Sequence, residues 1–373
     1  MGDKKANESG APRIEKLFKI MVRQGASDLH LKTGQPPLLR IGGDLHTLKS
    51  EPLTSGQIES LIRELLSDKQ AATFDEMGSV DFAREFEGGW RVRVNAFRQR
   101  GHCSLAARLV TINIPSFEEL HLPGSLRTIA EYHTGLVLLV GATGTGKSTT
   151  LAAMIQHINM NRRCHILTIE DPIEYSYRDG KAIISQRELH LDVPDWITAL
   201  KFAMREDPDV ILIGEMRDPD TFYAGITAAE TGHLVFGTLH AANCTQTFAR
   251  IMEMFPTDKH AMVRQGLSTN LRAVVAQLLM PAAQEGIRVV PAIEILFCNP
   301  LVRNLIAKGE DVKIAEVIRG GAAEGMIDMT ASIAKLVQQD MVLRKDALRM
   351  APNKERLDMA LRGISVDMGK IIG

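Results

Sequence analysis

Residues 141–148 have the residue types and the spacing of a loop that binds nucleotide phosphates. The pattern GxxxxGKS follows an apolar run and precedes a helical one, and this strand-loop-helix context is the one that such a loop requires. Glycines let the backbone amides point at phosphate oxygens, Lys147 reaches the β and γ oxygens, and Ser148 ligates Mg²⁺. The sequence therefore predicts binding of ATP and Mg²⁺ by Gly141, Ala142, Thr143, Gly144, Thr145, Gly146, Lys147, Ser148 and Thr149.

Hydrolysis also needs carboxylates that hold the metal ion and orient a water molecule. One acidic cluster, residues 170–174, follows the apolar run 166–169 at the end where parallel strands present ligand-binding groups. An acidic turn between strand and loop is the alternative interpretation of this cluster. Glu215 directly follows the run 210–214, where an acid would meet Mg²⁺ largely through water. We therefore expect Ser148 and Glu215 at the metal ion.

Two histidines, His233 and His240, flank a third apolar run. Two histidines without a third ligand nearby make a poor zinc site. A role in sensing phosphate or in coupling subunits fits them better.

The apolar runs that carry these groups predict a parallel sheet with both faces buried. Runs 136–140, 166–169, 210–213 and 234–236 contain almost no polar residue, and helical patterns separate them. After Ile295 the pattern becomes helical throughout. We therefore expect an α/β ATPase core over residues 125–298, and a helical C-terminal region with a tail over residues 299–373.

The first 110 or so residues have a different pattern. A helical segment that begins at Ile14 ends near Gly25, short alternating strands follow at 28–32 and 38–41, and another helix is expected around 55–66. Residues 90–97 alternate again, with Val92 and Val94 on one face and Arg91 and Arg93 on the other. This predicts an α+β domain over residues 13–111, after a flexible stretch 1–12 and before a proline-containing linker 112–124.

Composition limits the classes of protein to consider. The 373 residues carry 44 Lys and Arg against 45 Asp and Glu, a net charge of −1, which gives no bias toward nucleic acid or anionic lipid. No uncharged apolar run approaches the ~20 residues of a membrane span, the N-terminal residues are polar, and the four cysteines form no CxxC pair. We expect a cytoplasmic protein with no nucleic-acid partner and no direct insertion into a membrane.

Four blocks of the sequence together resemble the secretion ATPase superfamily, and within it the PilT-like motors of type IV pili. The blocks are 141–148, 169–174, 205–218 and 233–240, which match the family's Walker A motif, Asp box, Walker B motif and His box in order. The resemblance extends from Gly25 to about Gln338. It implies a homohexamer whose subunits join an N-terminal PAS-like domain to a RecA-like P-loop domain. It also implies that ATP binds between the two domains and against a neighbouring subunit.

The resemblance further implies a role for single residues. Glu174 matches the family's catalytic glutamate, which orients the attacking water, and Glu215 matches the Walker B glutamate. His233 and His240 match the histidine pair of the His box. The family supplies arginines from the PAS-like domain to a neighbour's site, and a solvated basic strand face is the alternative interpretation of such residues here. The candidates are Arg93 and Arg108, followed by Arg98.

The resemblance favours retraction over extension, because extension motors have a longer N-terminal region and a four-cysteine zinc site that this sequence lacks. The helical element Ala-Ile-Arg-Asn-Leu-Ile-Arg of the retraction branch is matched only in its middle by residues 301–307. A principal retraction motor for twitching motility and an accessory PilU-like paralogue both stay open. The expected partners are an inner-membrane pilus platform protein at the pilus base and, for an accessory motor, a paralogous motor ATPase. A RecA-like nucleic-acid translocase is less favoured, since no basic aromatic stripe is present.

Overall fold

The computed structural model describes residues 14–86 and 89–364 and divides into two compact units, Met1–Ile112 and Asn113–Gly373. The predictions made for residues 1–12 and for the extreme C-terminal tail lie outside the described residues. Each unit has a sheet of its own.

The first unit is an antiparallel sheet packed against helices. The sheet order is β3-β2-β1-β6-β5-β4, and every pairing in it is antiparallel. Its elements are α1 (Ile14–Arg23), β1 (Asp28–Lys32), β2 (Leu38–Ile41), β3 (Asp44–Thr47), α2 (Ser55–Arg63), α3 (Asp68–Met77), β4 (Ser79–Phe86), β5 (Trp90–Gln99) and β6 (His102–Leu109).

Local sequence explains where these helices begin. Thr54 and Ser67 cap α2 and α3. In both cases the cap side chain accepts a hydrogen bond from the backbone N–H of a glutamine three residues later, and the side chain of that glutamine accepts one from the backbone N–H of the cap residue. Such reciprocal caps satisfy the amide groups that a helix start leaves unpaired. The segment expected as one helix over 55–66 therefore ends at Arg63, and a second helix follows from Asp68.

The second unit alternates strands and helices and then continues as helices alone. Its elements to the end of the sheet are α4 (Ser125–Ala130), β7 (Gly135–Val140), α5 (Lys147–Asn161), β8 (His165–Glu170), β9 (Ile183–Glu188), α6 (Trp196–Ala203), β10 (Val210–Ile213), α7 (Pro219–Glu230), β11 (Leu234–Leu239), α8 (Cys244–Met254), α9 (His260–Asn270), β12 (Leu271–Pro281) and β13 (Val289–Phe297). The later helices are α10 (Pro300–Lys308), α11 (Ile314–Gly320), α12 (Met329–Gln338), α13 (Arg344–Met350) and α14 (Lys354–Leu361).

The second sheet is mixed, whereas the sequence predicts a purely parallel one. Its order is β13-β12-β7-β11-β10-β8-β9, and only the β12–β13 pairing is antiparallel. A short hairpin joins these two strands, so they must run in opposite directions. The α/β class, with an antiparallel N-terminal unit, a mostly parallel second sheet and C-terminal helices, is confirmed.

Side chains of β7, an interior strand of the second sheet, enter two different cores. On β7, Leu136 and Leu138 face the core that contains Phe222 and Phe248, and Val137 and Leu139 face the core of α4 and α5. A strand alternates its side chains between faces, so an uninterrupted apolar run serves both cores. Both faces of the strand are thereby covered.

The segment expected as a linker, 112–124, belongs to the second unit from Asn113 onward. Phe117 is 5% exposed and packs with the core of α4 and α5. Within the described residues, no helix is both long and apolar enough to cross a bilayer.

Candidate active site at the carboxyl edge of the second sheet

The P-loop lies between the end of β7 and the first residue of α5. Gly141, Gly144 and Gly146 adopt φ values of +154°, +79° and +82°, a region that residues with a Cβ rarely occupy. An added Cβ on Gly141 would lie 2.6 Å from Thr145 Oγ1 and 2.7 Å from a backbone oxygen. These glycines are therefore required by the shape of the loop.

Lys147 is held against the loop that it would serve. Its Nζ donates hydrogen bonds to the carbonyl oxygens of Gly141 and Ala142, at 2.8 and 3.0 Å. Burial lowers the pKa of the Lys147 ammonium, and the negative charge of Glu215 opposes that effect. A phosphate group entering the loop would offer this cation a stronger, charged acceptor than two neutral carbonyls.

Glu215 follows β10, and the side chains of Arg217 and His240 lie beside its carboxylate. Arg217 Nη2 donates to its Oε2 at 2.5 Å, and His240 Nε2 lies 2.9 Å from its Oε1. Burial raises the pKa of the Glu215 carboxyl, but the hydrogen bond and charge of Arg217 and the charge of His240 together lower it below its usual value. The side chain is therefore an anion at neutral pH.

Glu215 and Ser148 fit a magnesium ion that also contacts the phosphates of a nucleotide. Glu215 Oε1 is buried and accepts no hydrogen bond from the described part of the chain, although His240 Nε2 lies 2.9 Å away. An unsatisfied buried carboxylate oxygen suits a water molecule in the shell of Mg²⁺. The described residues contain no group of three His, Cys, Asp or Glu that could hold a metal ion by themselves. Ser148 is exposed at the start of α5, where its hydroxyl could supply a ligand.

The acidic cluster after β8 separates into a buried and an exposed carboxylate. Glu170 is 9% exposed and accepts hydrogen bonds from Thr168 Oγ1 at 2.7 Å and Gln186 Nε2 at 3.1 Å. Glu174 is exposed, four residues further along the loop. The Tyr175 hydroxyl lies 2.9 Å from Thr149 Oγ1, which ties this loop to the helix that follows the P-loop. Glu174 directly precedes Tyr175 on this loop.

The structure separates the two histidines. β11 lies between β7 and β10, so His240 at its carboxyl end is next to the P-loop strand and to Glu215. His233 precedes the amino end of the same strand, and seven residues at about 3.3 Å each place the two backbone positions roughly 20 Å apart. Within one chain the structure therefore brings His240 into the site and leaves His233 at the opposite edge of the sheet.

Arg93 and Arg108 lie opposite each other on the sheet of the first unit. Their strands pair in register, and the same row continues through Asp28 on β1 to Arg40 on β2. Arg108 Nε donates to Asp28 Oδ1 at 2.7 Å, although its side chain is 67% exposed. Arg98 lies elsewhere, over the ring of Phe74. The first unit thus presents a row of three arginines and one aspartate.

Sequence reasoning missed two groups that shape the site. Arg217 is an exposed cation in a polar stretch, and only the fold shows that it holds Glu215. Gln186 bridges the Asp-box loop, because its Nε2 donates to Tyr175 O and its Oε1 accepts from Tyr177 N. In the sequence, Gln186 could have been noticed only as a polar residue within a strand of the sheet.

Comparison with known proteins agrees with this geometry. The family model of type II/IV secretion system proteins matches residues 104–339. The chain is 40% identical over 338 residues to the type IV pilus retractation ATPase PilT of Pseudomonas aeruginosa, which covers 91% of this chain and 98% of that protein. It is also 40% identical over 350 residues to the type IV pilus ATPase PilU of the same organism, covering 94% of this chain and 91% of that protein.

A crystal structure of the pilus retraction motor PilT with bound ADP superimposes with a TM-score of 0.85 at 38% identity, over 93% of this chain and 99% of that one. The likeness thus spans both units, and the family model covers the whole region in which the P-loop, Glu174, Glu215 and His240 lie. The chain is therefore an ATPase that belongs to the type II/IV secretion system protein family.

Proposed function

We propose that this chain is the subunit of a homohexameric motor that hydrolyses ATP to drive retraction of type IV pili, and with it twitching motility. The observation that carries the proposal is the convergence of Lys147, Glu215, His240 and the Glu174 loop at one sheet edge. The likeness to PilT, over almost the full length of both proteins, supplies the biological setting.

In this proposal each group has a distinct task. The loop amides and Lys147 bind the phosphates, while Ser148 and Glu215 hold Mg²⁺, which neutralises charge on the phosphate oxygens. Glu174 orients the attacking water and accepts its proton. In its protonated form His240 pairs with the Glu215 carboxylate, 2.9 Å away, and keeps it in place.

Arginines from a neighbouring subunit complete the charge neutralisation in this proposal. Arg93 and Arg108 lie side by side on one sheet, and such a pair would present two guanidinium groups to phosphate oxygens. Arginines supplied in this manner can increase the rate by ~10³ or more. His233 stays a candidate for coupling between subunits. The proposed location is the cytoplasmic side of the inner membrane, on a platform protein at the pilus base.

Substituting Glu174 tests the chemistry. Glu174→Gln keeps the shape of an exposed side chain and removes the proton acceptor, so nucleotide affinity should change by less than about threefold while turnover falls by ~10² or more. Binding of a fluorescent ADP analogue and release of phosphate measure the two quantities. Asp171→Asn is the matched control, because it removes another exposed carboxylate of the same loop. Full turnover by the Glu174→Gln variant would overturn the assignment.

The same variant tests the biological role in cells. A strain without the gene should carry many surface pili and should not twitch, because pili that cannot retract accumulate. Wild-type protein should restore motility, and Glu174→Gln should not. A strain with few pili would instead point to extension and would contradict the proposal.

An accessory, PilU-like motor is the second candidate. The identity to PilU, at 40% over 350 residues, equals the identity to PilT. An accessory motor predicts that a deletion strain still twitches when a paralogous retraction motor is present, and that it stops when both genes are removed. Loss of motility from the single deletion would favour the principal motor.

A further inference from the structure

We infer that Gln277 is a positioning residue for nucleotide binding, which holds the P-loop in the shape that receives the β-phosphate. Gln277 lies on β12 and is 5% exposed, a buried amide in a largely apolar strand. The inference rests on the nucleotide site proposed above and assigns a role to a residue outside its motifs.

The register of the sheet puts Gln277 directly against the loop. β12 runs parallel to β7, and Ala276 pairs with Val140, the last residue before Gly141. Gln277 is therefore level with the first residue of the P-loop. A Cβ on Gly141 would lie 2.7 Å from the backbone oxygen of Gln277, so the two backbones are in close contact.

Both polar atoms of the Gln277 side chain bond to the phosphate-binding element. Nε2 donates to the carbonyl oxygen of Thr145 at 2.7 Å, and Oε1 accepts from Thr150 Oγ1 at 2.8 Å. Thr145 is inside the loop, whereas Thr150 is in the first turn of α5. One planar amide thus fixes the distance between the loop and the helix that follows it.

This contact bears on the direction of the loop amides. The Thr145 carbonyl belongs to the peptide that leads into Gly146, and a Cβ on Gly146 would lie 2.9 Å from Gln277 Nε2. When the carbonyl points at Gln277, the N–H of the same peptide plane points the other way, toward the concave side of the loop. The backbone N–H groups of a P-loop point to one side and bind the β-phosphate through hydrogen bonds. Gln277 therefore sets the orientation of a phosphate-binding amide without touching the nucleotide.

Substitution by methionine tests this role. Gln277→Met keeps the length of the side chain and removes both hydrogen bonds, which leaves buried polar groups without a partner. ADP affinity, measured with N-methylanthraniloyl-ADP, should fall about tenfold or more, because the Thr145–Gly146 peptide is no longer held in the orientation that presents its N–H to the β-phosphate. AMP affinity, measured by competition, should change by less than about twofold because AMP has no β-phosphate.

The matched control is Gln284→Met, the same substitution at an exposed position of the β12–β13 hairpin. It should change neither affinity. If Gln277→Met does not fold, as judged by its melting curve, Gln277→Glu replaces it. This variant keeps the acceptor for Thr150 and turns the donor toward Thr145 into a second acceptor, so it should show the same selective loss for ADP.

Two outcomes would overturn the inference. One is a lower melting temperature with unchanged ADP affinity, which would make Gln277 a packing residue only. The other is an equal loss for ADP and AMP, which would indicate general damage to the site. Failure of the wild-type protein to bind ADP would instead refute the proposed function.

Discussion

At the scale of single residues, Glu170 stands out because burial opposes its charge. Burial raises the pKa of this carboxyl to about 7, and hydrogen bonds from Thr168 and Gln186 only partly offset the effect. The charge of Glu174 on the same loop raises the pKa further. The chain thus keeps one acidic residue of the Asp box near its protonation midpoint at neutral pH, beside the exposed Glu174.

This raised pKa predicts a pH-dependent stability. The folded chain holds the Glu170 proton up to about pH 7, whereas the unfolded chain releases it near 4.5, so the folded state binds more protons between these values. The contribution of Glu170 to stability is therefore complete below about pH 4.5 and is lost as the pH rises through 7. It amounts to at most about 3 kcal/mol.

The uncharged variant Glu170→Gln removes the titration and keeps an acceptor for Thr168 and Gln186. Its free energy of unfolding in urea should therefore rise relative to wild type as the pH increases from 4.5 to 8. Glu285→Gln, in an exposed loop, is the control and should track wild type at every pH. A Glu170→Gln curve that is parallel to wild type across this window would refute the raised pKa.

Sequence alone could identify the P-loop, Glu215 and His240 as candidates, because each directly follows an apolar strand, and the family resemblance added Glu174 from the acidic cluster after β8. It could not identify Arg217, since an exposed arginine in a polar stretch has no distinctive pattern until the fold brings it to Glu215. The residue pattern without the family resemblance also could not tell that Glu170 is buried and Glu174 exposed, because the fold of the loop after β8 decides the burial of each carboxyl.

At the scale of elements, one arginine joins α9 to the segment after α10. Arg264 donates from Nη1 and Nη2 to the two carboxylate oxygens of Asp311, both at 2.8 Å, and from Nη1 to Ile306 O at 3.1 Å. The two charged side chains are only 18% and 15% exposed. A bidentate pair with little solvent is stronger than a surface pair. It fixes the first C-terminal helix on the sheet domain.

We expect Arg264→Met to lower the free energy of unfolding by about 2 kcal/mol, because it leaves Asp311 poorly solvated and without its partner. The control is Arg250→Met, which breaks the pair with Glu253, whose side chains are 60% and 61% exposed. The control should cost less than about 0.5 kcal/mol. Thermal melts of both variants provide the comparison. Equal losses would show that the Arg264 pair is no stronger than a surface contact.

Three strands of the second sheet, β9, β12 and β13, were missed by the sequence patterns for identifiable physical reasons. β9 is only half-buried and carries Gln186 and Arg187, so it has no apolar run. β12 follows α9 without an intervening loop residue, so the sequence pattern does not distinguish its apolar residues from a continuation of that helix. A buried glutamate, Glu294, interrupts the apolar pattern of β13. Its carboxylate accepts the backbone N–H of Cys244 at the start of α8, a tertiary contact that no local pattern shows.

At the scale of the whole molecule, the proposed hexamer needs two contributions from each chain. The second unit carries the P-loop, and the first unit carries the row of Arg93, Arg108, Asp28 and Arg40. Burial raises the pKa of the Asp28 carboxyl, but hydrogen bonds from Ser27 and Arg108 outweigh it and lower the pKa. The row therefore contains three cations and one anion, and its net positive charge suits a phosphate group.

Mixing two inactive variants tests whether the arginines act across subunits. Lys147→Ala lacks a working P-loop and keeps its arginines, whereas Arg93→Ala/Arg108→Ala keeps its P-loop, so each should hydrolyse little ATP alone. In a randomly mixed ring, about a quarter of the interfaces join an intact P-loop to intact arginines. Turnover should recover to a measurable fraction of wild type, up to about that share.

Co-purification of differently tagged chains and light scattering establish that mixed rings form. Two wild-type preparations mixed in the same way give the reference rate. A mixture of Lys147→Ala with Glu174→Gln should stay inactive. Both substitutions remove a group that acts in the second unit of its own chain, so no pairing of the two variants restores a complete site. Mixed rings of Lys147→Ala with the double arginine variant that hydrolyse no ATP would contradict a trans role. Activity restored only in that mixture requires that a site be built from two chains.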